Sequence, residues 1–486
     1  MLRLSDLTGR EFAGDNPEVT GLTADSRDVK PGFIFAALPG TLTDGRKFID
    51  AALEKGAVAV IADNTPLPAA LAVPCLQVED PRLELATLSA RFFGRQPEVI
   101  VAVTGTNGKT SVAHFTRSLW QNMGLEAASL GTLGIVTRQG TEDLGYTTPE
   151  PVLLHRCLAD MATSGITHVA IEASSHGLDQ RRLDAVEVCA GGFTNLTRDH
   201  LDYHATGDVY LEAKLGLVKR VVKPGGTAVL NADSDAFGAF AEAARKRDLK
   251  VLTYGRGECD FRILGLETRP SGQIIDVSLF GKPHAIALPL VGEFQAYNAL
   301  CALGLVVTAG GDLEAAVKAL EAVENVPGRM EHIASLANGA AAYVDYAHTP
   351  DALETVLVAL RPHTAGRIIA VIGCGGNRDT GKRPQMGQIA ADHADHVIVT
   401  DDNPRNEDPA LIRQAIMAAC PDATEIGDRK EAIHAALSMA GPGDIVLVAG
   451  KGHETGQVVG GRTIPFDDRQ VVADRVAVMT GEGSHD

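Results

Sequence analysis

The stretch VIVAVTGTNGKTS, from Val99 to Ser111, decides how the rest of the chain is read. Its opening residues Val99, Ile100, Val101 and Val103 are β-branched and apolar, as in a buried strand. Gly105, Thr106, Asn107, Gly108, Lys109 and Thr110 follow, then a helix-compatible run to about Met123. Strand, glycine turn, Lys-Thr and helix together make a cradle for a polyphosphate. The glycines let backbone N–H groups approach phosphate oxygens, and the helix start adds partial positive charge. In such a loop the Lys109 ammonium neutralises terminal phosphates and the Thr110 hydroxyl ligates Mg2+. The strict pattern G-x-x-x-x-G-K-[ST] is not met, because its first glycine falls at Val103. The shorter GTNGKT therefore has to be read with what lies further along.

A chain of 486 residues is too long for one core and predicts several domains. Its 44 basic and 62 acidic residues leave a net charge of −18, which argues against nonspecific nucleic-acid or anionic-membrane binding. An anionic substrate must then be met by local arginines, lysines and backbone amides. The start, MLRLSDLTGREF, lacks the apolar core of a signal peptide. No apolar run reaches the roughly 18 residues needed to cross a bilayer. Seven cysteines without CxxC pairing read as free, buried thiols of a cytoplasmic protein.

The expected fold class is α/β with three domains. Residues 1–97 form a small α/β unit, with strands FIFAAL (33–38) and AVAVIAD (57–63) and a helix over 81–94. Residues 98–326 alternate strands and helices around the glycine loop. The run 261–290 carries glycine turns between alternating segments and predicts an antiparallel extension. After a break at Val326-Pro327-Gly328, residues 327–486 restart the βα rhythm as a Rossmann-like unit. Four strands are expected there, at 341–347, 367–373, 396–402 and 444–450. Each ends in a polar run: His348-Thr349-Pro350, Gly375 to Asp379, Asp402 to Arg405, and Gly450 to Glu454. Ligands of open α/β sheets bind outside the carboxyl ends of strands, so four such ends predict one crevice.

Three further features carry chemistry. Glu172 lies inside the apolar strand HVAIEASS, where a carboxylate is costly unless paired or metal-bound. The run NLTRDHLDYH places Asn195, His200 and His204 just past a strand end as candidate metal ligands. Lys214, on a helix expected over 207–222, reads from composition alone as a solvent-facing residue.

In this order these residues resemble the Mur ligases, ATP-dependent enzymes that add amino acids during peptidoglycan synthesis. The likeness rests on GTNGKT, the Glu172 strand, NLTRDHLDYH with Lys214, Tyr297-Asn298, Gly328 to Glu331, Asp345 to His348 and the N-terminal Asp25-Ser26-Arg27. It implies that the three domains bind a UDP-MurNAc-dipeptide, ATP and an amino acid in turn. It implies ATP contacts from Gly105, Thr106, Asn107, Gly108, Lys109, Thr110, Ser111, Asn298, Arg329 and Asp345. Dipeptide contacts carry over to Ala24, Ser26, Thr41, Leu42, Thr43, Thr147, Thr148, Ser174, Gln180 and Arg182. Asp402-Asn403-Pro404-Arg405 resembles the members that add meso-2,6-diaminopimelate, with Arg378, Gly450 and Glu454 as further contacts. The physics agrees, since a guanidinium grips a distal carboxylate bidentately and lysine has none. By resemblance, Thr110, Glu172, His200 and a carbamylated Lys214 arrange Mg2+, and Lys109, Lys214 and His200 are catalytic. Asn377 departs from the aspartate expected before Arg378-Asp379. The expected protein is a monomer acting on small molecules, with neither nucleic acid nor membrane as partner.

The alternatives are a folylpolyglutamate synthase or a lysine-adding relative, a P-loop switch, and a Rossmann oxidoreductase using VIGCGGNRD. The last lacks the third glycine of GxGxxG.

Overall fold

The structure is a computed structural model, and it describes residues 2–12, 16–40, 43–66, 71–197, 203–269 and 272–480. Its contacts divide the chain into two compact units, Met1–Asp260 with Cys301–Ala316, and Phe261–Leu300 with Val317–Asp486.

The first unit contains two main sheets besides a short pairing of Leu2–Arg3 with Glu18–Val19. A parallel four-stranded sheet runs Gly21–Thr23, Phe33–Ala36, Ala59–Asp63, Cys75–Val78. Its helix Pro81–Phe93 starts where the Asp80 carboxylate accepts from the Leu83 N–H, with proline in its first turn, and ends at Gly94 in the left-handed region. The larger sheet places six parallel strands in the order Ala127–Gly131, His168–Glu172, Val99–Thr104, Val188–Phe193, Val222–Asn231, Lys250–Gly255. Val99–Thr104 comes first in the chain but lies in the middle. Successive strands go to one side of it and then to the other, so a topological switch point opens beside its carboxyl end. Ile100, Val101 and Ala102 are fully buried, as a strand covered on both faces requires.

The helix that leaves the glycine loop, Lys109–Asn122, is buried along most of its length. His114 accepts or shares a hydrogen bond with the Arg117 guanidinium (3.1 Å), and burial followed by that positive charge pushes its pKa down to about 3. Burial likewise pushes His155 down to about 4. Both imidazoles are neutral when folded and titrate near 6.5 when unfolded. Their contribution is therefore complete above pH 6.5 and is lost as the pH falls, about 2 kcal/mol each by pH 5. Thermal unfolding at pH 7 and pH 5 should show this drop, and His114→Gln should show a shallower one. Equal acid sensitivity in that variant would contradict the assignment.

In the second unit, Phe261–Arg269, Gly272–Leu279 and Lys282–Leu288 form an antiparallel meander, the extension expected over 261–290. The six-stranded sheet runs Glu331–Ser335, Ala341–Asp345, Ile445–Ala449, Ile368–Ile372, His396–Val399, Thr424–Glu425, parallel except for its first pair. Ile368, Ala370 and Ile372 face one apolar cluster while Ile369 and Val371 face another, which is the strand period of two with helices on both sides. The four expected strands are all present. The hairpin Gly456–Val459 with Arg462–Pro465 was not expected. No helix among the described residues is long and apolar enough to cross a membrane. All seven cysteines are free; Cys157, Cys301, Cys374 and Cys420 are buried, but Cys75, Cys189 and Cys259 are only half-buried, against the expectation for all seven.

Candidate active site

The glycine loop is built from two directions. Gly108 stands at φ +85°, a left-handed conformation that opens the helix without a Cβ penalty. Gly105 is needed for closeness: a Cβ there would lie 1.8 Å from Thr194 Oγ1. The segment following Val188–Phe193 braces the loop. Thr194 Oγ1 donates to the Asn107 carbonyl (2.6 Å), and Asn195 Oδ1 accepts from the Asn107 N–H (2.9 Å). Thr106 Oγ1 accepts from the Thr197 N–H (2.9 Å). Asn195 thus braces the loop, with its carboxamide turned to Asn107. His204 is buried in an aromatic cluster with His176, Tyr203 and Tyr210. His200 lies outside the described residues.

Two lysines converge on this loop. Lys109 Nζ donates to the carbonyls of Gly105 (2.9 Å) and Thr106 (2.8 Å). Lys214 Nζ donates to Gly105 O (2.6 Å) and lies 4.4 Å above the Tyr210 ring. Lys214 is 1% exposed, so the composition-only reading as a solvent-facing residue is wrong. Tyr210, Lys214 and Leu217 recur at helical spacing on a buried face of Gly207–Gly216 and the π-helical turn after it, and that spacing was the missed signal.

Glu172 ends its strand buried, beside the loop. Its Oε2 accepts from Thr110 Oγ1 (3.0 Å), and its Oε1 from the Thr132 N–H (2.8 Å). A carboxylate touching a hydroxyl is an all-oxygen donor pair, which suits Mg2+ whose other ligands are phosphate and water. Among the described residues no group of three His, Cys, Asp or Glu forms a metal cluster.

The same unit contains a cavity of about 590 Å³. Ala24, Ser26, Thr43, Gln180 and Arg182 line it, together with Arg82 and Glu150, which sequence reasoning missed. Thr41 and Leu42 lie outside the described residues. Thr147, Thr148 and Ser174 are not among its lining residues but connect it to the loop. Arg182 donates to Thr148 O (2.6 Å), Thr148 Oγ1 donates to Glu172 O (2.7 Å), and Thr147 shares a hydrogen bond with Thr132 (3.1 Å). Burial raises the Glu150 pKa, opposed by Arg182.

In the second unit the four carboxyl ends do lie on one edge of one sheet. Asp345 is buried, accepting from the N–H groups of Met330 (2.6 Å) and Ala347 (2.7 Å); burial raises its pKa against the pull of Arg329. Arg329 stacks on Tyr346 at 4.5 Å. Asn298, on the helix Glu293–Thr308, is buried and donates to Gln295 (2.9 Å).

Arg405 has φ +54°, a left-handed conformation costing a non-glycine residue about 1–2 kcal/mol. The unexpected hairpin holds it there: the Arg405 N–H donates to Val458 O (2.9 Å), and the Gly460 N–H to Arg405 O (2.7 Å). Its Nη1 donates to Gly376 O (2.8 Å). Among the described residues its Nε–Nη2 edge meets no acceptor, and that edge is one of the sides on which a guanidinium binds a carboxylate bidentately. Glu454 Oε2 accepts from Asn403 Nδ2 (2.9 Å). Gly450 must be small because its Cβ would lie 2.6 Å from Asp402 Oδ2. Arg378 is exposed. Asn377 has φ +53°, where asparagine and aspartate are both better tolerated than most residues. In VIGCGGNRD, Gly376 is needed for close packing, since a Cβ there would lie 2.0 Å from the Pro404 carbonyl.

Comparison with known proteins matches three successive segments of the chain. Residues 18–93 match the Mur ligase family catalytic domain, 103–306 the Mur ligase middle domain, and 328–452 the Mur ligase glutamate ligase domain. A Caulobacter vibrioides protein named UDP-N-acetylmuramoyl-L-alanyl-D-glutamate--2,6-diaminopimelate ligase is 51% identical, covering 99% of each chain. A Brucella melitensis protein of the same name is 52% identical over 96% of this chain and 95% of its own. A solved structure with that name in its title superposes with a TM-score of 0.75 at 35% identity, over 99% of both chains. Folylpolyglutamate synthase of Mycobacterium tuberculosis has a TM-score of 0.63 at 19% identity, over 83% of this chain and 96% of its own, and shares the fold alone. Half identity sustained from end to end, with three family domains in register, shows that the chain belongs to the Mur ligase family.

Proposed function

We propose that this protein is an ATP-dependent ligase that joins 2,6-diaminopimelate to the D-glutamate γ-carboxylate of UDP-N-acetylmuramoyl-L-alanyl-D-glutamate, in peptidoglycan synthesis. The observation that carries the reading is the open guanidinium edge of Arg405, on the loop whose Asn403 binds the Glu454 carboxylate, in a chain half identical to relatives bearing that name. A carboxylate does not react with an amine unaided. Its oxygen attacks the γ-phosphorus of ATP and ADP leaves; the amino nitrogen then attacks the acyl carbon, phosphate leaves, and the nitrogen sheds a proton. No protein nucleophile is required, so positioning and electrostatics supply the rate.

The residue roles follow the chemistry. Gly105 to Ser111 hold the phosphates, and Lys109 exchanges its two carbonyl contacts for phosphate oxygens. Asn298, Arg329 and Asp345 contact the nucleotide. Thr110 and Glu172 would hold Mg2+, His200 being a further ligand by resemblance alone, and the ion would offset the triphosphate charge. Lys214, buried against the loop, is the candidate for carbamylation. The dipeptide substrate occupies the cavity lined by Ser26, Gln180 and Arg182. The domains are assigned as 1–97 for the UDP-sugar, 98–326 for ATP and 327–486 for the amino acid. The protein is placed in the cytoplasm as a monomer.

The test is an ATP-dependent ligation assay offering diaminopimelate, lysine and glutamate side by side. Diaminopimelate-dependent ADP release with the UDP-dipeptide is the expected result. Preference for lysine or glutamate would sink the proposal.

A further inference from the structure

Lys451 has no role in the assignments above. Its side chain is fully buried, yet it is a charged ammonium inside the amino-acid crevice. Nζ donates to Asn403 Oδ1 (3.0 Å) and to Glu454 Oε2 (3.2 Å). Asn403 Oδ1 also accepts from the Val458 N–H (2.9 Å), and Asn403 Nδ2 donates to Glu454 Oε2 (2.9 Å). Two donors on one side fix the carboxamide: turned over, its NH2 group would face an ammonium and an N–H. Glu454 Oε2 is therefore taken twice. Oε1, among the described residues, accepts no hydrogen bond and is the oxygen left for an incoming cation.

The loop Asp402 to Arg405 is gripped on its other side by the hairpin. Gln457 Nε2 donates to Asp402 O (2.7 Å), and Val458 and Gly460 bind the Arg405 backbone. One network thus sets both the open oxygen of Glu454 and the open edge of Arg405, with Lys451 at its buried end.

The geometry points to Lys451 as a positioning residue for amino-acid selection. It holds Glu454 and the Arg405 loop at the separation that reads an ammonium and a carboxylate borne on one distal carbon. This rests on the reading of the crevice as the diaminopimelate subsite. A ligand held at one point, such as the distal ammonium of lysine, tolerates a shift of Glu454. A ligand held at two points does not, and its stereochemistry is read only while both points are fixed. Removing the Lys451 charge also leaves Glu454 uncompensated, which favours any simple ammonium.

The test compares kcat/KM for meso-diaminopimelate, its LL isomer and L-lysine in wild type, Lys451→Met, Gln457→Ala, Glu454→Gln and Lys451→Met with Glu454→Gln. Lys451→Met is expected to raise the KM for meso-diaminopimelate about tenfold, the scale of losing hydrogen bonds to a charged group. The meso-to-LL and diaminopimelate-to-lysine ratios should fall, while the KM for ATP stays within about twofold. In the Glu454→Gln background the same change should add less than it does alone. Gln457→Ala loosens the loop from its outer side and should move the ratios the same way, even where Lys451→Met fails to fold. A purely structural lysine would lower stability and leave the ratios alone, and that result in both variants overturns the inference. Wild-type protein that does not use diaminopimelate overturns the subsite reading and this inference together.

Discussion

Lys109→Ala is expected to lower the ligation rate about 1,000-fold while leaving the fold intact, the upper range for removing one preorganised charge-stabilising donor. Its ammonium donates to carbonyls of its own loop, Gly105 and Thr106. The loop itself does not depend on it. Thr194, Asn195 and Thr197 brace it from the neighbouring strand end, and Gly108 sets the helix entry. Deleting the ammonium therefore removes charge stabilisation on the transferring phosphoryl group without dismantling the cradle. The neighbouring Lys214 cannot take over, because it approaches Gly105 from the buried side and stacks on Tyr210. The measurement is single-turnover ADP formation with the UDP-dipeptide, paired with the thermal midpoint. Near-normal turnover would remove Lys109 from the mechanism. A collapsed midpoint would instead make it a structural residue.

Some of this site was legible in the chain and some was not, for physical reasons. The strand ends were legible because buried parallel strands are apolar runs that stop abruptly, as Ile368–Ile372 does before Gly373. Glu172 stood out because a carboxylate in such a run needs a reason. Composition alone suggests an exposed Lys214, but the helical spacing of Tyr210, Lys214 and Leu217 marks a covered face. The bracing role of Asn195 is not legible locally, because its partner Asn107 lies far back in the sequence. Gly21–Thr23 and Cys75–Val78 were too short to show a period. The hairpin at Gly456–Pro465 is short and largely exposed, and its order comes from the Arg405 loop, about fifty residues away. Lys451 does not stand out in the sequence for the same reason: its partners Asn403 and Glu454 meet only in the fold.

Arg405→Ala should raise the KM for diaminopimelate about 100-fold and leave the KM for ATP unchanged, since losing one partner of a desolvated charge pair costs about 2–5 kcal/mol. The backbone argues that the effect will be local. Alanine and arginine pay similarly for φ +54°, and the hairpin bonds to the Arg405 N–H and carbonyl survive the substitution. What is lost inside the protein is the Nη1 bond to Gly376, worth about 1 kcal/mol and a fall of about 2–4 °C in the thermal midpoint. What is lost to the substrate is the Nε–Nη2 edge, which presents two parallel N–H groups. Arg405→Lys separates charge from geometry, because an ammonium keeps the charge and loses the fork. It should recover only a small part of the diaminopimelate KM. Lysine, without a distal carboxylate, should be used equally by wild type and both variants. The ratio of the two amino acids therefore reads the guanidinium directly, and a ratio unchanged by Arg405→Ala would place the distal carboxylate elsewhere.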